Sequence, residues 1–101
     1  MHKEVKTMAE FENAVASGKA LVDFWAPWCG PCMMMGERIA AEIEPVMPDL
    51  SIIKINVDEA PEIAANFGVM SIPMLLCYID GKKTAEFVGV TSTKEIMSIY
   101  K

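Results

Sequence analysis

Histidine is almost missing from this sequence: His2 is the only one among 101 residues, and cysteine occurs three times. Protein zinc sites draw on sets of cysteines and histidines, and no second Cys-x-x-Cys half stands here, so no metal centre is expected. Three cysteines are also an odd number, too few to staple a secreted scaffold. They suit a reducing compartment in which a disulfide is transient chemistry. No apolar run approaches the roughly 18 residues that would span a bilayer, and the N-terminal stretch MHKEVKTMAEF lacks the continuous apolar core of a secretory signal. The cytoplasm is therefore the expected location. Positive charge is scarce as well, with nine Lys and Arg against fourteen Asp and Glu and a formal charge of -5. That balance, without a lysine cluster, argues against nucleic acid or an anionic membrane as partner. Internal repeats and low-complexity tracts are absent. What remains is a chain with 52% apolar residues, enough for one real core, expected to form a single domain over residues 1–101 and to act as a monomer.

The elements that are present alternate. Thr7 and Glu10 have the spacing of a capping box ahead of Met8, Phe11 and Val15, which repeat at helical intervals until Gly18. ALVDFWA, residues 20–26, is a continuous strand-forming run broken by one acid, Asp23, which predicts a strand covered on both faces. Met35, Ile39, Ile43 and Met47 make the apolar stripe of a helix that should stop near Pro45 to Pro48. SIIKINV reads as a second buried strand, Pro61 opens a short helix that ends at Gly68, and Asp80-Gly81 joins two strands as a tight hairpin. Ser92 and Glu95 form another capping box before a last helix with Ile96, Met97 and Ile99 to bury. This order predicts an α/β fold with a mixed central sheet of four to five strands flanked by helices.

In such folds chemistry gathers beyond the carboxyl ends of the parallel strands, and WCGPC, residues 28–32, comes directly after the first buried strand. Cys29 stands at the start of a helix, where free backbone N–H groups and the macrodipole favour thiolate over thiol. Cys32 lies one turn further in, within disulfide reach but less able to meet solvent. The pair thus has an attacker and a resolver: Cys29 takes a substrate disulfide into a mixed disulfide, and Cys32 then attacks Cys29 and releases the reduced substrate. Gly30 and Pro31 shape the tight start of the helix. Asp23, desolvated within an apolar strand, should have a raised pKa and serve as a general base.

WCGPC preceded by VDFWAP, together with KINVDE around Lys54, FGVMSIP ending at Pro73, DGK at the hairpin and FVG ending at Gly89, resembles the thioredoxin family over nearly the whole chain. The resemblance implies the thioredoxin fold and a protein dithiol-disulfide oxidoreductase without a cofactor. It assigns Cys29 as nucleophile, Cys32 as resolving thiol, Asp23 as the buried proton acceptor and Lys54 as the lysine near that acid. It makes Ile72-Pro73 the family's cis-proline, although trans is the ordinary expectation for X-Pro. Trp28, Gly30, Pro31, Ile72, Pro73 and Gly89 would then form an apolar rim that receives client disulfides, with Trp25 packed beneath. The implied partners are disulfide-bearing clients and a thioredoxin reductase, either NADPH-dependent or ferredoxin-linked.

Two departures stand out, and one further cysteine needs a reading. Met33 occupies a position where the family often has lysine, removing a cation near the site. Gly36-Glu37 replaces the common Ala-Pro, which leaves the usual helix bend open. Cys77, within MLLCYI, reads as a small buried apolar residue rather than a redox thiol. Two rival functions differ in class. A disulfide-forming or isomerising enzyme is disfavoured by Gly30-Pro31, because such relatives usually carry a histidine between the cysteines. A non-catalytic interaction module would have no need for a buried acid, a helix-end thiol and a resolver together.

Overall fold

The structure of this chain is a computed structural model and describes residues 2–101. In chain order the elements are β1 (His2–Glu4), α1 (Met8–Val15), β2 (Lys19–Trp25), α2 (Gly30–Arg38) running into a π-helical segment (Ile39–Ile43), β3 (Ser51–Asn56), α3 (Pro61–Asn66), β4 (Met74–Ile79), β5 (Lys82–Val88) and α4 (Thr93–Ser98). The strands form one five-stranded sheet in the order β1-β3-β2-β4-β5. β1, β3 and β2 run parallel, while β4 and β5 are antiparallel to their neighbours. The α/β fold expected above, a mixed central sheet flanked by helices, is the one observed, with the upper strand number.

The run that read as covered on both faces is the middle strand, β2. Its alternate residues enter two cores. Ala20, Val22 and Phe24 join Phe11 and Val15 of α1, Ile63 of α3 and the aromatics Phe67 and Tyr78. Leu21, on the other face, joins Met35, Ile39 and Ile43 of the second helix and Ile96 and Tyr100 at the chain's end. Asp23 shares that second face by the period of two, and it is 1% exposed.

The second helix holds its stripe by changing pitch. An α-helix overshoots a full turn by about 40° in four residues, so residues spaced by four drift around it. The π segment, marked by the i to i+5 bond from Glu44 N–H to Ile39 C=O at 3.0 Å, has a wider turn that reverses the drift. Met35, Ile39 and Ile43 all stay buried, and Met47 packs against them half-buried. The irregularity left open at Gly36-Glu37 therefore takes the form of a π segment beginning three residues after Gly36.

Of the two expected capping boxes, Thr7 and Glu10 close theirs in both directions. Ser92 makes only half of the other, accepting from the Glu95 N–H at 3.4 Å. Asp80 and Gly81 both have positive φ, 50° and 84°, the signature of a type I′ hairpin turn. The turn is hooked onto the α1–β2 loop, since Gly18 N–H donates to Asp80 Oδ1 at 2.7 Å and Asp80 N–H donates to Gly18 C=O at 2.8 Å. Tyr100, unremarked in the sequence reading, closes the second core: its hydroxyl donates to the Ala20 carbonyl at 2.6 Å.

Candidate active site

β2 ends at Trp25, and the chain then turns through Ala26, Pro27 and Trp28 into α2. Cys29 is the N-cap of that helix in extended conformation, with Pro31 in the first turn. Its Sγ accepts the Cys32 N–H at 3.2 Å, one of the helix-start donors that would stabilise a thiolate. Cys29 and Cys32 are joined as a disulfide with Cα atoms 5.2 Å apart. Both are largely covered, Cys29 at 6% and Cys32 at 2% exposure, so the difference in access expected between them is small in the oxidised state. What separates them more is position: Cys29 Sγ lies 4.0 Å from the Ile72 carbonyl oxygen, while Cys32 borders a cleft with Met33, Glu37 and Lys54.

The Ile72–Pro73 peptide bond is cis. Pro73 C=O accepts the Gly89 N–H at 2.8 Å, and Gly89 has φ of +88°, a conformation suited to glycine. Ile72, Trp25 and Val57 pack around Ala26 and the disulfide. Trp28 stands 68% exposed, and its indole N–H donates to Asp58 Oδ2 at 2.9 Å. Asp58 was not singled out in the sequence, although it lies inside the KINVDE stretch. Other large apolar side chains are exposed besides Trp28, among them Met33, Met34, Met70, Val88 and Val90. Met70, two residues before Ile72, is 94% exposed.

Asp23 is buried, and its Oδ1 accepts no hydrogen bond from any described residue. Burial pushes its carboxyl up to about 6; the Lys54 ammonium pulls the other way, and Glu4 adds to the rise. Lys54 is the register partner of Asp23 on β3, and its Nζ sits 4.9 Å over the centre of the Trp25 ring, a cation–π contact. Trp25 and Ile72 thus pack with the disulfide just beyond β2, and the Asp23–Lys54 register pair lies on the adjoining strands. Cys77 is fully buried away from the pair, and burial pushes its thiol up from the usual cysteine range.

A disulfide at a helix start beyond a central parallel strand, with a buried acid on that strand, defines a thiol-disulfide exchange protein. Comparison with known proteins agrees. The family model described as Thioredoxin matches residues 2–101. The thioredoxin of Staphylococcus aureus is 42% identical over 96 residues, covering 92% of this chain and 89% of its own. Among solved structures, oxidised mitochondrial thioredoxin 3 of Saccharomyces cerevisiae superimposes with a TM-score of 0.86 at 31% identity, covering 96% of this chain and 92% of its own. Fasciola hepatica thioredoxin gives 0.84 at 31% identity, covering 97% and 96%. The chain belongs to the thioredoxin family. It is a dithiol-disulfide oxidoreductase, with Cys29 and Cys32 as its redox pair. Among the described residues, no helix is long and apolar enough to cross a membrane.

Proposed function

We propose that the chain works as a single-domain, monomeric protein-disulfide reductase of the cytoplasm. In this reading Cys29 is the nucleophile and Cys32 the resolving thiol. Cys29 thiolate attacks a client disulfide, one client sulfur leaves as thiolate, and the other remains bonded to Cys29. Cys32 gives its proton to the Asp23 carboxylate and attacks Cys29 Sγ; the second client sulfur leaves with the bonding electrons, and the Cys29–Cys32 disulfide is formed. Lys54 tempers the burial cost of the Asp23 carboxylate, and Trp25 braces the pair from beneath.

The rim of Trp28, Gly30, Pro31, Ile72, Pro73 and Gly89 receives the client. Its apolar surface selects little by side chain, which suits a reductase with many clients. A thioredoxin reductase, NADPH- or ferredoxin-linked, returns the oxidised pair to the dithiol. The observation that carries this reading is the disulfide seated at the start of α2, with Cys29 as its N-cap, beyond the strand that bears buried Asp23.

The test is reduction of a disulfide-bonded protein by wild type, Cys29→Ser and Cys32→Ser, with mass spectrometry of the products. Cys29→Ser is expected to be inactive, and Cys32→Ser to accumulate a covalent mixed disulfide through Cys29. Reduction by Cys29→Ser at the wild-type rate would overturn the assignment.

A further inference from the structure

The loop between β5 and α4, residues 89–92, is held at several points. At its start Gly89 N–H donates to the Pro73 carbonyl at 2.8 Å, and Thr91 Oγ1 donates to the Gly89 carbonyl at 3.0 Å. Just past its end Thr93 Oγ1 donates to Glu42 Oε1 at 2.5 Å. Between these bonds the Thr91 N–H donates to the sulfur of Met35 at 3.4 Å. Met35 and Glu42 stand about two turns apart on the helix that Cys29 caps and Cys32 belongs to, so the helix that presents the redox pair also anchors this loop twice.

The residue type at position 35 matters for the second anchor. Met35 is fully buried among Leu21, Ile39, Leu75 and Ile96 and follows Cys32 by one turn. Packing alone would accept leucine there. Leucine carries no acceptor, whereas a thioether fills a similar volume and offers a weak one on a polarisable atom. The Thr91 N–H is half-buried and has no backbone acceptor among the described residues. Without the sulfur it would have to turn toward water, and the loop with it.

We propose that Met35 is a positioning residue whose sulfur fixes the β5–α4 loop against the redox helix and so sets where the Gly89 edge of the rim stands relative to Cys29. The inference rests on the reading of Gly89, Ile72 and Pro73 as parts of the rim that receives the client. Met35 itself touches no client and takes no part in sulfur exchange. It acts along a continuous path: Met35 Sδ holds Thr91, Thr91 holds the Gly89 carbonyl, and Gly89 holds the Pro73 carbonyl. Pro73 follows Ile72, whose carbonyl oxygen lies 4.0 Å from Cys29 Sγ. Both loops of the rim are thereby referred to the one helix that carries the cysteines.

Met35→Leu removes the acceptor and keeps the hydrocarbon, an exchange that cores tolerate well, so the variant should fold. Amide hydrogen exchange, followed by NMR on the oxidised protein, should show the Thr91 amide exchanging faster by about threefold or more, while the Leu21 and Ile39 amides of the same core keep their wild-type rates. In reduction of a disulfide-bonded protein, KM should rise by about threefold with kcat little changed, because the rim is displaced while the pair stays at the helix start. Thr91→Val is the second variant. It keeps the N–H bond to Met35 and loses the hydroxyl bond to Gly89, so KM should rise with the amide at position 91 still protected, and Thr91→Ser, which retains the hydroxyl, should restore the wild-type KM. Wild-type exchange at Thr91 in the folded Met35→Leu protein would overturn the proposal whatever its melting temperature, and faster exchange with an unchanged KM would overturn the positioning role. The exchange measurement needs no client, so it judges the sulfur bond separately from the Cys29→Ser and Cys32→Ser test, which judges the reductase reading.

Discussion

The two faces of β2 are made of the same backbone and differ in what they bury. Ala20, Val22 and Phe24 look into a core of aromatic and branched side chains in which Phe24 meets Phe67 at 5.9 Å and Phe11 meets Phe67 at 5.0 Å. Leu21, Asp23 and Trp25 alternate with them and look toward α2, where an acid is packed among hydrocarbon and an ammonium lies over an indole. The first face can be optimised for packing alone. The second carries a destabilising group, which persists in a marginally stable domain only because the first face and the hydrocarbon around Leu21 outweigh it. The comparison separates residues that hold the fold from residues that the fold holds in place.

Four substitutions would break or sharpen that contrast. Phe24→Ala should have the largest effect, losing about 3–5 kcal/mol in denaturant titration while the folded protein reduces disulfides at the wild-type rate. A comparable loss of rate in the folded protein would show that the first face also serves the chemistry. Asp23→Asn should act in the opposite sense. The Asp23 carboxyl is raised from 3.8 to about 6, so the folded chain binds a proton more tightly than the unfolded one between these values. Stability is therefore greatest below about pH 4 on this account and falls as pH rises through about 6, by up to about 3 kcal/mol. Asp23→Asn should flatten that dependence, stabilise the protein near neutral pH and slow turnover. Denaturant midpoints measured from pH 4 to pH 8 check the sign.

Tyr100→Phe removes the hydroxyl that ties the end of the chain to Ala20 and should cost about 0.5–1.5 kcal/mol with little change in redox rate. Asp58→Ala is expected to do least to stability. It frees the exposed Trp28 indole, and its loss should be read as a weaker KM for a protein client, worth about 0.5 kcal/mol, with kcat unchanged.

Much of the second face was legible because local rules and motif spacing coincide there. A single acid in ALVDFWA has one strand to disturb, and a Cys-x-x-Cys after that strand has one helix start to occupy. Asp80-Gly81 was equally readable, since a two-residue turn with both φ positive admits few residue types. The rest depended on partners distant in sequence. Tyr100 meets Ala20 across 80 residues, and Asp58 meets Trp28 across 30, so neither side chain announces its partner locally. Ser92 and Glu95 have the spacing of a full capping box and form half of one, because spacing permits the reciprocal bond without compelling it. The π segment was hidden for a related reason: residues spaced by four fit an α-helix with drift or a mixed pitch without it.

The outer strands of the sheet have a bearing on life in a crowded solution. β1 presents His2, Lys3 and Glu4, all exposed, and β5 presents Lys82, Lys83 and Glu86, with Lys83 and Glu86 paired at 2.9 Å. Charges along both margins discourage a second chain from zipping onto the open backbone and growing an aggregate. Under the function proposed above, in which client polypeptides dock on the rim, the same charges keep a client strand from adding itself to the sheet.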